Sequence, residues 1–124
     1  MAPTGAADRF TVDVRHVGDA VVLALAGELD HDTIGPLREA LDAALAGDGE
    51  RLLVDFSDVG FCDSTGLNIL LRGRLAARES GSSIELVGLG RPVERMFRIT
   101  GADTVFTVYP DVERALAERP GHDG

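Results

Sequence analysis

The stretch "RLLVDFSDVGFCDSTGLNILL", from Arg51 to Leu71, leads from a run of apolar residues through a short polar segment into a helical pattern. Its first part, "RLLVDF", is mostly apolar, as expected of a strand that is buried on both faces. From Ser64 onward four leucines are expected on the inner face of a helix: Leu67, Leu70, Leu71 and Leu75. A buried strand followed by an amphipathic helix is the repeating unit of an α/β fold.

The chain before this unit predicts two further strands and one helix. "FTVDVRH", which starts at Phe10, alternates apolar and polar residues, and Gly18-Asp19 then offers a hairpin turn before a continuously apolar run. Apolar residues next recur at helical spacing: Ile34, Leu37, Leu41, Ala44 and Leu45. Asp32 or Thr33 is the expected cap of this helix, and Gly47 is its expected stop.

The chain after the unit predicts two more strands and two more helices. "SIELVGL" and "TVFTVY" have the composition of strands, and Pro92 opens a short helix between them. Three residues of that helix are expected to face inward, namely Val93, Met96 and Phe97, with Gly101 closing it. A last helix is expected from Asp111 to Glu118.

This order of elements, β-β-α-β-α-β-α-β-α, predicts one α/β domain over residues 9–118. Strands separated by single helices imply right-handed crossovers and a mixed, mostly parallel sheet of about five strands flanked by about four helices. The first hairpin adds an antiparallel strand at one side. Residues 1–8 and 119–124 are polar and rich in turn formers, so we expect a flexible N-terminus and a flexible tail.

Composition excludes several classes of function. Twenty-one acidic residues against twelve basic ones give a net charge of -9, which opposes direct nucleic-acid binding and binding to anionic lipid. All twelve basic residues are arginine, so no lysine exists for a Schiff base, a P-loop or a receiver site. The longest apolar run, Ala20 to Ala26, is too short to span a bilayer, and the start lacks a signal-peptide pattern. We therefore expect a cytoplasmic protein without membrane insertion.

The segment Asp63-Ser64-Thr65-Gly66 lies where the buried strand gives way to a helix, whose first turn has unpaired N–H groups and a positive dipole end. Three roles fit these residues. They can cap the helix, Ser64 can accept a phosphate that the helix N-terminus would stabilise, or Ser64 can be a nucleophile. The nucleophile has poor local support, because Cys62 occupies the place of the first glycine of a GxSxG elbow.

A second polar cluster, "GELDHDT", contains Asp30, His31 and Asp32 between a strand and a helix. Three consecutive side chains point in different directions, so helix capping is favoured over a metal site or a catalytic base. Asp55, at the expected end of a buried strand, suggests a receiver aspartate, but the required acidic pair and lysine are missing. We expect no metal and no cofactor, and we expect Cys62 to pack as a small hydrophobe.

Three segments together resemble, in order and spacing, the anti-sigma factor antagonists, which are bacterial members of the STAS domain family: "GELDHDT" with its helix, "LVDFSDVGFCDSTGLNILL", and "RPVERMFRITG". The resemblance covers residues 10–117. It implies a non-enzymatic protein in which Ser64 is the phosphorylation site. Asp63, Thr65 and Gly66 match the residues that shape the phosphoacceptor loop, and Asp30 matches an acidic residue of the neighbouring loop. The resemblance therefore implies a partner-binding loop formed by Asp30, Asp63, Ser64, Thr65 and Gly66.

The resemblance also implies the partners. Unmodified antagonist would bind an anti-sigma factor serine kinase and release a sigma factor, phosphoserine would weaken that complex, and a phosphatase would reset it. Cys62 and Asn68 depart from the family's usual apolar or small residues around the loop. Two alternatives stay open: a STAS docking subunit of a transporter complex, and a serine hydrolase, which would need His31 near Ser64.

Overall fold

A computed structural model describes residues 9–47 and 50–118 of the chain. The strands in these residues are β1 (Phe10–Val17), β2 (Ala20–Leu29), β3 (Arg51–Cys62), β4 (Ser83–Val87) and β5 (Val108–Tyr109). The helices are α1 (Ile34–Leu45), α2 (Ser64–Glu79), α3 (Arg91–Thr100) and α4 (Val112–Ala117), with a 3-10 turn at Ala102–Thr104. The flexibility expected for residues 1–8 and 119–124 concerns positions outside the described residues.

The five strands form one sheet in the order β1-β2-β3-β4-β5. β1 is antiparallel to β2, and each later pair of neighbours is parallel. The hairpin turn lies at Gly18-Asp19 as expected, and Gly18 has a φ of 61°, which a glycine adopts without strain. The single α/β domain with a mixed, mostly parallel sheet is therefore confirmed.

Helices cover both faces of the sheet, which explains the continuously apolar β2. Alternate β2 residues such as Val21 and Leu23 belong to the main core beneath α1, α2 and α3, whereas Ala20 and Val22 belong to a smaller core beneath α4. The main core includes Phe56 and Phe97, whose rings meet edge to face with centroids 6.1 Å apart. None of the helices in residues 9–47 and 50–118 is long and apolar enough to cross a membrane.

The smaller core contains a buried ion pair. Arg51 Nη2 lies 2.8 Å from Glu85 Oε1 and also donates a hydrogen bond of 2.6 Å to the Ala115 carbonyl, which ties α4 to β3 and β4. Tyr109 is buried beside this pair. Burial, and next the negative charge of Glu85, raise the pKa of the Tyr109 hydroxyl, so the phenol stays neutral.

The prediction for the inner face of α2 is partly wrong. Leu67 and Leu70 are buried, and Leu71 is half-buried, but Leu75 is 58% exposed. Gly73 and Ala77 occupy the inner positions instead. Leu75 lies eight residues after Leu67, which is about 80° away from it around a helix of 3.6 residues per turn. The small residues allow α2 to lie close to α1 and the sheet.

Two strand boundaries also differ from the prediction. Asp55 does not end a strand, because β3 continues to Cys62 through two register shifts against β2, and each shift adds one residue to β3. Such bulges accommodate the turn-forming residues Ser57, Asp58 and Gly60, which look like a loop in the sequence. "TVFTVY" forms only a two-residue strand, since the 3-10 turn and the buried Phe106 precede it.

The other helix boundaries agree with the sequence. Val93 and Phe97 are buried, Met96 packs against the main core, and Gly101 closes α3 with a φ of 81°. Asp111 caps α4 by accepting a hydrogen bond from the Arg114 N–H. α1 ends at Leu45, with Ala46 as its C-cap, and Gly47 follows directly. The Gly47 N–H bonds back to the Ala44 carbonyl at 3.4 Å, so the helix stops at the expected glycine.

Candidate functional site

Two loops meet at the carboxyl ends of β2 and β3. Leu29 and Cys62 are paired as the last residues of the two strands, and the Asp63 N–H donates a 3.1 Å hydrogen bond to the Leu29 carbonyl. The loop that begins at Asp30 therefore starts beside the segment from Asp63 to Gly66. The structure brings the two segments of the predicted site together, although more than thirty residues separate them in the sequence.

Asp63 is the residue that caps helix α2. Its backbone is extended, and its Oδ1 accepts hydrogen bonds from the N–H groups of Thr65, at 2.9 Å, and of Gly66, at 3.3 Å. The Leu67 N–H bonds to the Asp63 carbonyl and continues the pattern into the helix. The capping predicted for this segment is thus present, and Asp63 performs it.

Ser64 is the first residue of α2 and is exposed. In the part of the chain that the structure describes, no hydrogen bond involves its hydroxyl or its backbone N–H. Both groups lie at the N-terminus of a helix whose other first-turn N–H groups already have partners in Asp63. An unbonded hydroxyl next to an unbonded N–H at a positive helix end is a suitable place for an added anion.

Gly66 is required where α2 approaches the ends of β2 and β3. A Cβ at this position would lie 2.8 Å from Leu29 Cδ2 and 2.9 Å from Cys62 Sγ, distances that real Cβ atoms essentially never show. Leu29 is fully buried and Cys62 is 5% exposed, so neither side chain has room to move away. The glycine therefore lets α2 begin close against the ends of β2 and β3.

The Asp30 loop is held by its own hydrogen bonds. Asp30 Oδ1 accepts from the N–H groups of Asp32, at 2.9 Å, and of Thr33, at 3.2 Å, and Arg9 lies 3.0 Å from the same carboxylate. Partial desolvation is the largest influence on the Asp30 pKa and acts to raise it. The hydrogen bonds, together with the charge of Arg9, outweigh desolvation and lower the pKa. Asp30 is therefore a fixed negative charge beside the Ser64 segment.

Neither Asp32 nor Thr33 caps α1 through its side chain, which corrects the prediction. Thr33 precedes the helix, but its hydroxyl donates to the Glu28 carbonyl at 2.8 Å and accepts from the Asp30 N–H at 2.8 Å. Thr33 is completely buried, and a buried hydroxyl must satisfy the polar groups around it. It closes the loop at the end of β2 instead of capping the helix.

The geometry gives no support to metal binding or to a nucleophilic serine. His31 Nε2 lies 3.3 Å from Asp32 Oδ1, and both side chains are largely exposed. Within residues 9–47 and 50–118 no hydrogen bond joins His31 to Ser64, and no three metal-binding side chains are grouped. Burial, and next the charge of Asp63, raise the pKa of Cys62 to about 12, so this thiol is neutral and packs as the expected small hydrophobe.

Phe61 is a surface residue of this site that the sequence did not reveal. Its side chain is 48% exposed two residues before the cap Asp63, whereas Val59 and Cys62 on the same strand are buried. Asn68 is exposed one helical turn after Ser64 and therefore lies on the same side of α2. A bulge in β3 between Val59 and Phe61 turns the aromatic ring outward, and no simple alternation of residues would show it.

Comparisons with known proteins agree with this architecture. A family model described as "Mlab, STAS domain" matches residues 9–109. The chain is 31% identical over 90 residues to an anti-sigma-B factor antagonist of Listeria monocytogenes, covering 73% of this chain and 79% of that protein. It is also 31% identical over 113 residues to the anti-sigma-F factor antagonist RsfB of Mycobacterium tuberculosis, covering 90% of each. The crystal structure of an anti-sigma factor antagonist from Mycobacterium paratuberculosis superposes with a TM-score of 0.80 at 30% identity, covering 92% of this chain and 97% of that one.

Proposed function

The chain belongs to the STAS domain family and to the anti-sigma factor antagonists within it, and we propose that it is a protein switch controlled at Ser64. Unmodified, it binds an anti-sigma factor that is also a serine kinase, and this binding releases a sigma factor. Phosphorylation of Ser64 by the same partner weakens the complex, and a phosphatase restores it. The chain itself needs no cofactor and catalyses no reaction, and it acts in the cytoplasm.

The observation that carries this proposal is the unbonded Ser64 hydroxyl at the start of α2. Asp63 already satisfies the Thr65 and Gly66 N–H groups, so a change at Ser64 removes no hydrogen bond of the cap. A phosphate adds about 1.5 to 2 negative charges at neutral pH. The helix dipole and the free Ser64 N–H favour those charges, whereas the Asp63 carboxylate opposes them. The phosphorylated chain is therefore expected to keep its fold.

The other serines support the choice of Ser64. The Ser57 hydroxyl donates a 2.6 Å hydrogen bond to Asp55, and Ser80 bonds to carbonyl groups at the end of α2. Ser82 is buried and accepts a hydrogen bond from the Glu50 N–H. Phosphorylation of Ser82 would break a contact that closes the α2–β4 connection onto β3, whereas Ser64 has no such contact.

Phosphate transfer is the first test. Incubation with the cognate kinase and ATP is expected to add one phosphate per chain, and peptide mass mapping is expected to place it on Ser64. A Ser64→Ala variant is expected to remain unmodified. Phosphate found only on Ser57, Ser80, Ser82 or Ser83 would refute the assignment. A fluorophosphonate probe for catalytic serines is expected to leave Ser64 unlabelled, and stoichiometric labelling would favour a hydrolase.

The second test links charge at Ser64 to affinity for the kinase. Ser64→Asp places a carboxylate in the interface, and an unpaired charge buried there costs on the order of 2 to 5 kcal/mol, which is roughly a 30-fold loss of affinity or more. Ser64→Ala is expected to bind like the wild type. Thr107→Asp is a matched control, because it adds the same charge at an exposed residue far from Ser64. Thr107 lies just before β5, at the opposite end of the sheet.

Calorimetric titration and thermal melts distinguish the outcomes. Weak binding by Ser64→Asp alone, with an unchanged melting temperature, supports the switch. Equal losses in Ser64→Asp and Thr107→Asp would show a general effect of charge, and equal affinity of Ser64→Asp and the wild type would contradict the proposal. An unfolded Ser64→Asp variant would contradict the claim that the site accepts charge.

A further inference from the structure

The two edges of the sheet differ in how they are protected. β5 is only two residues long and is followed directly by Pro110, which is a common way to blunt an edge. β1 has eight residues, contains no proline and pairs with β2 without a register shift. Within the described residues no strand pairs with its outer side. β1 is therefore a long, regular edge that can accept another strand.

The hairpin turn determines which backbone groups face this edge. The two-residue turn at Gly18-Asp19 closes on Val17 and Ala20, which form a doubly hydrogen-bonded pair in a hairpin of this kind. Every second residue back from Val17 therefore bonds to β2. The residues between them direct their N–H and C=O groups outward, and these are Phe10, Val12, Val14 and His16.

The exposed side chains of β1 form a self-complementary pattern. Val14 is 50% exposed, and it is flanked in sequence by Asp13 and Arg15, which are paired with each other at 3.0 Å on the opposite face of the sheet. Two copies of β1 running antiparallel, with Val14 opposite Val14, would place each Asp13 opposite the Arg15 of the other copy. In this register the residues whose N–H and C=O groups face the free edge, such as Val12 and His16, also lie opposite each other, as an antiparallel ladder requires.

Charge distinguishes this register from its neighbours. Moving the pairing to the next allowed position on one side places Asp13 opposite Asp13, and moving it to the other side places Arg15 opposite Arg15. Like charges directly opposite each other destabilise a strand pair, whereas opposite charges stabilise it. Only the register centred on Val14 combines outward-facing hydrogen-bonding groups with attraction at both charged pairs.

The surface beside Val14 leaves room for a second copy. A groove of about 200 Å³ lies between β1 and α1, and Val14 and His16 line it together with three small residues of the helix, namely Ala40, Ala43 and Ala44. The two-fold arrangement keeps α1 of both copies on the same face of the joined sheet. The alanine flank of α1 allows the second strand to cover the open side of this groove.

We propose that this chain forms a two-fold dimer through its β1 edges, centred on Val14 and held by reciprocal Asp13–Arg15 pairs. The joined sheet has ten strands and about six intermolecular backbone hydrogen bonds from Val12, Val14 and His16 of the two copies. The Ser64 segments lie at opposite ends of this sheet, because β1 of the second copy runs in the reverse direction. The dimer is therefore independent of the switch at Ser64.

Charge exchange provides the test, with sedimentation equilibrium over micromolar to several hundred micromolar protein as the measurement. Asp13→Arg and Arg15→Asp each place like charges opposite each other, and each is expected to weaken self-association about ten-fold. An equimolar mixture of the two variants is expected to form a heterodimer, and the double variant is expected to dimerise like the wild type. Both charges are exposed, so at concentrations where the wild type is monomeric all variants are expected to keep its melting temperature.

Oxidative crosslinking checks the register independently. Val14→Cys places two thiols at a hydrogen-bonded pair about 5.5 Å apart between Cα atoms, which is within the range of a disulfide. Thr11→Cys is the matched control, because its two copies lie about 20 Å apart in this register. Crosslinking of Val14→Cys alone supports the proposal. A wild-type chain that stays monomeric, single charge variants that associate as well as the wild type, or equal crosslinking at both positions would overturn it.

Discussion

Replacing Gly66 with alanine tests whether the approach of α2 to the strand ends shapes the Ser64 segment. The added Cβ would lie within 3.0 Å of three atoms: Leu29 Cδ2, Leu29 Cγ and Cys62 Sγ. Leu29 Cγ is not the tip of a side chain, and both neighbours are buried. The contact therefore cannot be relieved by moving one flexible group, and α2 has to move away from β2 and β3.

The expected magnitude follows from two opposing effects. Overpacking a buried site costs about 1 to 3 kcal/mol, and three contacts with buried atoms place Gly66→Ala in the upper part of that range. Alanine is favoured over glycine in a helix by up to about 1 kcal/mol. We therefore expect a net loss of about 1 to 2 kcal/mol in the free energy of unfolding, or about 4 °C in melting temperature for each kcal/mol.

Gly35→Ala is the matched control. Gly35 is in the first turn of α1, as Gly66 is in the first turn of α2, but a Cβ there meets no atom within 4 Å. Chemical denaturation is expected to show a small gain for Gly35→Ala and a loss for Gly66→Ala. Kinase phosphorylation is expected to slow only in Gly66→Ala, since Ser64 moves with the helix. If both variants gain stability to the same extent, the packing argument for Gly66 is wrong.

Three further predictions concern the surroundings of this site. Asp63→Ala is expected to lower the free energy of unfolding by about 0.5 to 2 kcal/mol. Asp63→Asn is expected to retain most of the stability that the cap contributes, because the amide oxygen also accepts hydrogen bonds. Equal losses of stability for the two variants in urea titrations would contradict the cap. Leu70→Ala is expected to lower the free energy of unfolding by about 2 to 5 kcal/mol, and Leu75→Ala by less than about 0.5 kcal/mol, because Leu70 is fully buried and Leu75 is 58% exposed. Similar losses for both variants in thermal melts would place Leu75 in the core. Folding raises the pKa of the Cys62 thiol to about 12. The stabilising contribution of the neutral, buried thiol is therefore complete below the pKa of the thiol in the unfolded chain. It is lost as pH rises from that pKa toward the pKa of the thiol in the folded chain. The stability difference between wild type and Cys62→Ala is therefore expected to fall by about 1.4 kcal/mol per pH unit above about pH 9, and a constant difference between pH 8 and pH 10.5 would show that the thiol is not buried.

Local patterns in the sequence determined the order of the elements and the class of fold. The apolar run in β2 indicates burial on both faces, and the two-residue turn before it indicates a hairpin, because each signal depends on neighbouring residues only. The Asp63-Ser64-Thr65-Gly66 segment likewise indicated a helix start with a polar cap. These features predict a mixed sheet with a polar segment at the end of one strand, and the structure confirms both.

Only the tertiary structure determined the surroundings and packing of that polar segment. Pairing with β2 introduces the bulges that extend β3 past Asp55 and turn Phe61 outward, and neither strand shows them by itself. Contacts with Leu29, far away in the sequence, explain why residue 66 is a glycine, and the buried Thr33 hydroxyl bonds to a strand carbonyl instead of capping a helix. The physical reason is common to all of these features. Side-chain patterns report local backbone preference, whereas close approach, burial of a polar group and strand register depend on residues that meet only when the chain has folded.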